Sequence, residues 1–376
     1  MMKSTHSARL ARWLGEEKVA SVSDAMRGWY GPPIALAGVP GAVYATGDGD
    51  FVGECRAGWE ATTGDRLFDI LKRVKRGFRA ATSPARRMST LGTGFSSLSD
   101  LISEATAGGK RQELLFYKNG EGGDFVGCSL SLWQMDGQPY PGSSASAAPG
   151  GDAPTSATTG ALGFVNASGT DTLHFVAANV LSRLENHTLL LYDRIFQVAK
   201  TMSSTATEAV TGVPTRYQST TPGDDDYAGG NFMFPECTSD LGAGAYNWDT
   251  CLYTDQDGNT GVTLPSCGGY AVDFTNLCYI NNSRWFFPLA AGDTGVKALT
   301  QMQCDASVSG GVDFVIGHPI AFMPCPIASQ ISITDGINTA FNLTRIFDDA
   351  CLAFLDICKP ITSYTRYTGS ITLVSG

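Results

Sequence analysis

The residues easiest to recruit for chemistry are four histidines, His6, His174, His187 and His318, and ten cysteines, at positions 55, 128, 237, 251, 267, 278, 304, 325, 351 and 358. No cysteine pair has CxxC spacing, and so few histidines give a zinc site little support. Two readings of the cysteines stay open. They are buried reduced thiols behaving as small hydrophobes, or disulfides formed after release from a reducing cell. Residues 237–278, with four cysteines in a Gly- and Asp-rich stretch, are where pairing is expected first. Enzyme signatures are missing: there is no GxSxG elbow, no HExxH and no GxxxxGK[ST]. Gly92-Thr93-Gly94 is a glycine fragment without a preceding strand, and it reads as a connector. Asp255-Gln256-Asp257-Gly258-Asn259 starts like a calcium loop. Its glycine falls at the fourth position instead of the sixth, however, and Ser266 stands at the twelfth, so a turn between strands is expected, with weak cation binding as the alternative. Asp224-Asp225-Asp226 reads as a solvated loop tip. His318, between Gly317 and Pro319 in an apolar run, reads as a structural histidine at a strand kink. No catalytic residue, metal ligand or cofactor site is expected, and the chain is not expected to be an enzyme.

The charge pattern is more informative. Residues 1–115 carry a balance of +4 and residues 116–376 one of −14, within a net charge of −10. Two parts in two environments follow from this asymmetry, and the acidic part disfavours non-specific nucleic-acid binding. The basic charge concentrates at Arg66, Lys72, Arg73, Lys75, Arg76, Arg79, Arg86 and Arg87, against the lone Asp69. This segment is a solvated helix face, or it meets an acidic partner such as a neighbouring subunit or nucleic-acid phosphates. Few aromatics interleave with it, so base stacking is not expected. Lys72, Arg73, Lys75, Arg76, Arg79, Arg86 and Arg87 form the candidate attachment surface.

The elements that would position these residues change character along the chain. An amphipathic helix is expected over 5–28, an extended Gly/Pro-broken arm over 29–60, and a further helix carrying Leu67, Leu71, Val74 and Phe78 at helical spacing. A short helix follows at 97–107. After about residue 116 strands take over: Leu114–Tyr117, Phe125–Trp133, 171–180, 187–199, 230–236, 269–274, 284–290, 296–306, 311–323, 329–334 and 350–358. Segment 187–199 also fits a helix, through Leu191, Ile195 and Val198. Residues 137–160 form a low-complexity loop rather than a domain linker. Many short strands separated by turn residues predict a mainly β chain. The expected division is an N-terminal arm and helical attachment region, 1–115, and an antiparallel, jelly-roll-like β-sandwich body, 116–376. No run of roughly 18 apolar residues exists to span a membrane, and the N-terminus lacks a signal-peptide core, so synthesis in a cytoplasm is expected.

Within the body, Thr158–Phe164, Thr170–Phe175, Thr188–Arg194, Leu289–Val296, Gly317–Ala321 and Asp348–Leu355 resemble a recurring structural protein of tailed-bacteriophage virions. The resemblance covers roughly residues 115–376 and consists of sheet-and-turn patterns without catalytic motifs. It implies a β-sandwich component of the particle, on the phage head, and makes 187–199 a strand. The expected function is a capsid-associated cement or decoration protein. The alternatives are the major capsid protein, or a receptor-binding sandwich of a tail or head fibre. Expected partners are the capsid shell and copies of the chain itself in a homo-oligomer, with no membrane and no sequence-specific nucleic acid.

Overall fold

In the computed structural model the chain divides into two compact units, Met1–Arg87 and Met88–Gly376. The structure describes residues 94–106, 109–120, 129–242, 244–269, 277–278, 285–336, 343–358 and 365–376. The expected helices over 5–28 and around 67–78, the arm, and the candidate attachment surface from Lys72 to Arg87 lie outside the described residues.

Helix α1 (Leu98–Thr106) opens the second unit. Ser97 caps it by accepting the Asp100 N–H, while the Asp100 carboxylate accepts from the Ser96 N–H and hydroxyl. Strands β1 (Arg111–Asn119), β2 (Ser129–Ser131), β3 (Gly137–Gln138), β4 (Leu173–Ser182), β5 (His187–Thr201) and β6 (Glu208–Ala209) follow. Next come β7 (Phe232–Ser239), β8 (Tyr246–Trp248), β9 (Leu252–Asp255), β10 (Val262–Thr263), β11 (Cys267–Gly269) and β12 (Leu277–Cys278). The chain closes with β13 (Val296–Met302), β14 (Gly311–Cys325), β15 (Ile331–Asp335), β16 (Arg345–Ile346), β17 (Leu352–Cys358) and β18 (Arg366–Ser375).

Every ladder between named strands is antiparallel, and the fold is a mainly β sandwich. One sheet runs β15-β4-β18-β1-β3, with β16 also on β4. The other runs β12-β2-β17-β5-β14-β7. Smaller sheets, β10-β9-β13-β6 and β11-β8, pack alongside.

The two large sheets differ in what covers them. Phe116, Val180, Ile371 and Leu373 point inward from the first sheet and meet Leu189, Leu191 and Phe354 of the second in one core. The Phe116 and Phe354 rings lie 4.5 Å apart across it. The far face of the second sheet is buried too: Leu190, Tyr192, Phe234, Val315 and Leu355 sit beneath Trp133 and Trp285. Burial on both faces is why β5 and β14 are near-continuous apolar runs without alternation. The far face of the first sheet is covered at one end by α1, through Phe95 and Leu101 on Val374. Elsewhere on that face, among the described residues, Leu115, Ile331 and Ile333 are exposed.

Some of the element expectations hold and others change. Strand β1 runs through positions 115 and 116, and the second compact unit begins at Met88. Segment 187–199 is a strand, continued to Thr201. Residues 285–290 are not a strand; the Phe287 N–H bonds to the Met233 carbonyl and its ring stacks on Phe314, so the aromatic run plugs the core as irregular chain. Strand β18, at the centre of the first sheet, was not expected from the sequence.

Candidate functional site

Sequence motifs marked no reaction centre, and the residues they singled out are used structurally. His318 sits in β14 between two register shifts, at Ile316/Gly317 and Pro319/Ala321. Its ring stacks on Tyr217 at 3.8 Å, and its Nδ1 lies 2.8 Å from Asn231 Oδ1. Burial pushes its pKa down to about 3, so it stays neutral and holds the kink. The Asp255 carboxylate accepts the N–H groups of Asp257 and Asn259 and the Asn259 side-chain amide. Its lone pairs therefore close the turn. The Asp224–Asp226 loop is not simply a solvated tip, because Asp225 pairs with Arg345 at 3.2 Å. Cys251, Cys304, Cys325 and Cys351 are buried and not in disulfides. Burial pushes the Cys251 and Cys325 thiols up to about 11, and the other two also upward, which disfavours a nucleophilic thiolate. Among the described residues no group of three His, Cys, Asp or Glu is placed to hold a metal ion, and no helix is long and apolar enough to cross a membrane.

Three buried polar clusters were not visible in the sequence. In the first, Arg194 of β5 donates to Glu236 of β7 at 2.8 Å and to Gln197 at 2.6 Å, with its guanidinium 4.7 Å from the Trp133 ring. Asp313, paired with Glu236 across the β14–β7 ladder, adds a second carboxyl. Desolvation and the Glu236 charge raise its pKa to about 7. In the second cluster, Arg216 clamps Asp193 with two 2.8 Å bonds, and Asp193 also accepts the Cys351 N–H. In the third, His187 Nδ1 lies 2.9 Å from Asp356 Oδ1 and 2.8 Å from the Tyr367 hydroxyl.

That third group has the residue types of a catalytic relay but not its setting. All three side chains are sealed from solvent, and they come from β5, β17 and β18. They therefore join the two sheets. The His187 Nε2 has no partner; with the ring proton on Nδ1 it is a bare acceptor, less costly to bury than an orphan N–H.

The low-complexity stretch 137–160 is pinned over the first cluster. Asp313 accepts the Ala145 N–H at 2.7 Å, Trp133 donates its indole N–H to the Ser143 carbonyl, and the Ala199 N–H bonds to the Ser146 carbonyl. Gly142 and Gly160 lie against the Trp133 ring, where a Cβ would collide with it. Small residues in this loop are what let it lie flat on the second sheet.

The surface feature that stands apart is the open face of the first sheet. Ile331, Ile333 and Leu115 are 66%, 70% and 71% exposed, and Leu181 is 36% exposed. Comparison with protein-family models, curated proteins and solved structures finds no match to this chain.

Proposed function

We propose that this protein is a non-enzymatic structural component of a tailed-phage virion, a cement or decoration protein attached to the head. The observation that supports this reading most is how the polar side chains are spent. Buried arginines, carboxylates and histidines tie strand to strand and sheet to sheet, while the open part of the first sheet presents aliphatic side chains. Such a molecule suits load-bearing contact with neighbours. The basic segment from Lys72 to Arg87 supplies the electrostatic part of attachment, against an acidic surface of the shell.

Quantitative mass spectrometry of purified particles tests the reading. Hundreds of copies per particle, scaling with the shell protein, are expected. A few copies per particle would assign it to a fibre or neck, and absence from particles would refute it.

A further inference from the structure

The part of the low-complexity loop from Gly142 to Asp152 is a strap across the outer face of the second sheet. The Ala145 N–H donates to Asp313 Oδ2 at 2.7 Å, the Ala199 N–H to the Ser146 carbonyl, the Asp152 N–H to the Gln197 carbonyl and the Thr211 N–H to the Pro149 carbonyl. No residue from Pro141 to Ala153 is buried, and Ala148 packs on the core from a partly buried position. A segment fastened by hydrogen bonds near solvent, with little apolar burial, lies at the low-stability end of a fold. Beneath it, Arg194, Glu236 and Asp313 are sealed from water.

The charges under the strap do not balance around Asp313. It faces Glu236 from β7, Arg194 from β5 and Asp152 from the strap itself. Arg194 is engaged by Glu236, Gln197 and the Tyr192 hydroxyl. Asp152 accepts the Ser146 N–H and hydroxyl, which ties the strap to itself. Asp313 Oδ2 has the Ala145 N–H, but its Oδ1 is buried without a partner. The Ala145 and Arg194 contacts favour an ionised Asp313. Desolvation and repulsion from Glu236 outweigh them, so its proton is held up to about pH 7.

We propose that Asp313 is a proton latch for this strap. Protonated, it lets the strap lie closed over the cluster; ionised, it lifts the strap at Ala145 and opens the face around Trp133. Lifting the strap is the least costly way to bring water to the carboxylate, because no buried side chain leaves with it. The alternative is to part β14 from β7 or β5. Hydration returns Asp313 toward its ordinary 3.8, so opening releases a proton. The open fraction therefore rises with pH, by up to about tenfold per unit between pH 4 and 7, and levels off above 7. Trp133, whose indole N–H bonds to the Ser143 carbonyl, loses that cover at neutral and alkaline pH and keeps it in acid. The inference does not rest on the virion reading.

Hydrogen exchange of the full chain, read by mass spectrometry and corrected for the intrinsic pH dependence of exchange, tests it. Peptides covering 142–152 are compared with the β4–β18 ladder of the first sheet. The strap should be less protected than the ladder at every pH. Its protection should also fall by at least about tenfold between pH 5 and pH 7.5. Asp313→Asn keeps an oxygen for the Ala145 N–H and cannot ionise, so its strap should be equally protected at both pH values. Should that variant misfold, the wild-type profile still decides. A strap as protected as the ladder opens only with the whole fold, and that result overturns the proposal. So does strap protection that is indifferent to pH, or a pH response that survives Asp313→Asn.

Discussion

The Tyr367 hydroxyl, carried on β18 of one sheet, lies 2.8 Å from Nδ1 of His187 on β5 of the other. A hydrogen bond across a sandwich core, between side chains sealed from water, fixes how the sheets sit on each other as apolar packing alone does not. Its loss removes this side-chain link from the histidine to the other sheet, while Asp356 stays 2.9 Å from the same nitrogen.

Tyr367→Phe should therefore destabilise the second unit by about 1–2 kcal/mol with the fold retained. The check is chemical denaturation: the midpoint falls while the slope stays constant. An unchanged midpoint would mean the hydroxyl contributes nothing.

Arg194 and Glu236 are both fully buried. Glu236→Gln removes the hydrogen-bonded countercharge and leaves the guanidinium only the nearby Asp313 carboxyl, which should cost about 3 kcal/mol. Replacing both, as Arg194→Met with Glu236→Leu, should cost much less than the sum of the single changes, because no charge is stranded. A double-mutant cycle by denaturation measures the coupling.

Asp313 should make stability fall as pH rises. Its pKa in the folded protein is raised to about 7 from an ordinary 3.8. Between those values the folded state holds a proton that the unfolded chain has released. The penalty is absent below pH 4, grows through pH 5 and 6, and is complete above 7, on the order of a few kcal/mol. Asp313→Asn should remove most of this slope and raise the melting temperature at pH 8 more than at pH 5. Thermal melts at the two pH values test it, and parallel shifts would contradict it.

How far these features could be foreseen varied with their range in sequence. Strand β5 was ambiguous because both its faces are buried, so Leu189, Leu190, Leu191 and Tyr192 show no alternation, while Leu191, Ile195 and Val198 also fit a helical period. Strand β18 was missed for a different reason. Its inward positions are Tyr367, Gly369, Ile371 and Leu373, and the glycine breaks the apolar pattern. That glycine is needed, since a Cβ there would run into the Phe116 ring and the Asn179 carbonyl. The run Trp285-Phe286-Phe287 misled in the opposite direction, having strand composition without strand pairing. The turn at Asp255 was legible because its chemistry is local. The polar clusters were not, because Arg194 meets Glu236 across 42 positions and His187 meets Asp356 across 169.

Reversing Lys72, Arg73, Lys75 and Arg76 to Glu should weaken attachment to particles and leave the sandwich folded. A single exposed pair contributes only about 0.2–1 kcal/mol, but four reversals exchange attraction for repulsion at every site. Wild-type attachment should also loosen with salt, since surface charges are screened beyond roughly 10 Å at 0.1 M. Release from purified particles across a salt series compares the two proteins. Equal retention at every salt concentration would leave the basic segment as a solvated face.

The central claim is one of place, and a density map of the intact particle tests it most directly. The account predicts that the sandwich of residues 94–376 fits density on the outer surface of the head at symmetry-related positions throughout the shell, in contact with the shell protein. Density for it only in the tail, or in the shell wall itself as the protein that builds the wall, would contradict the account.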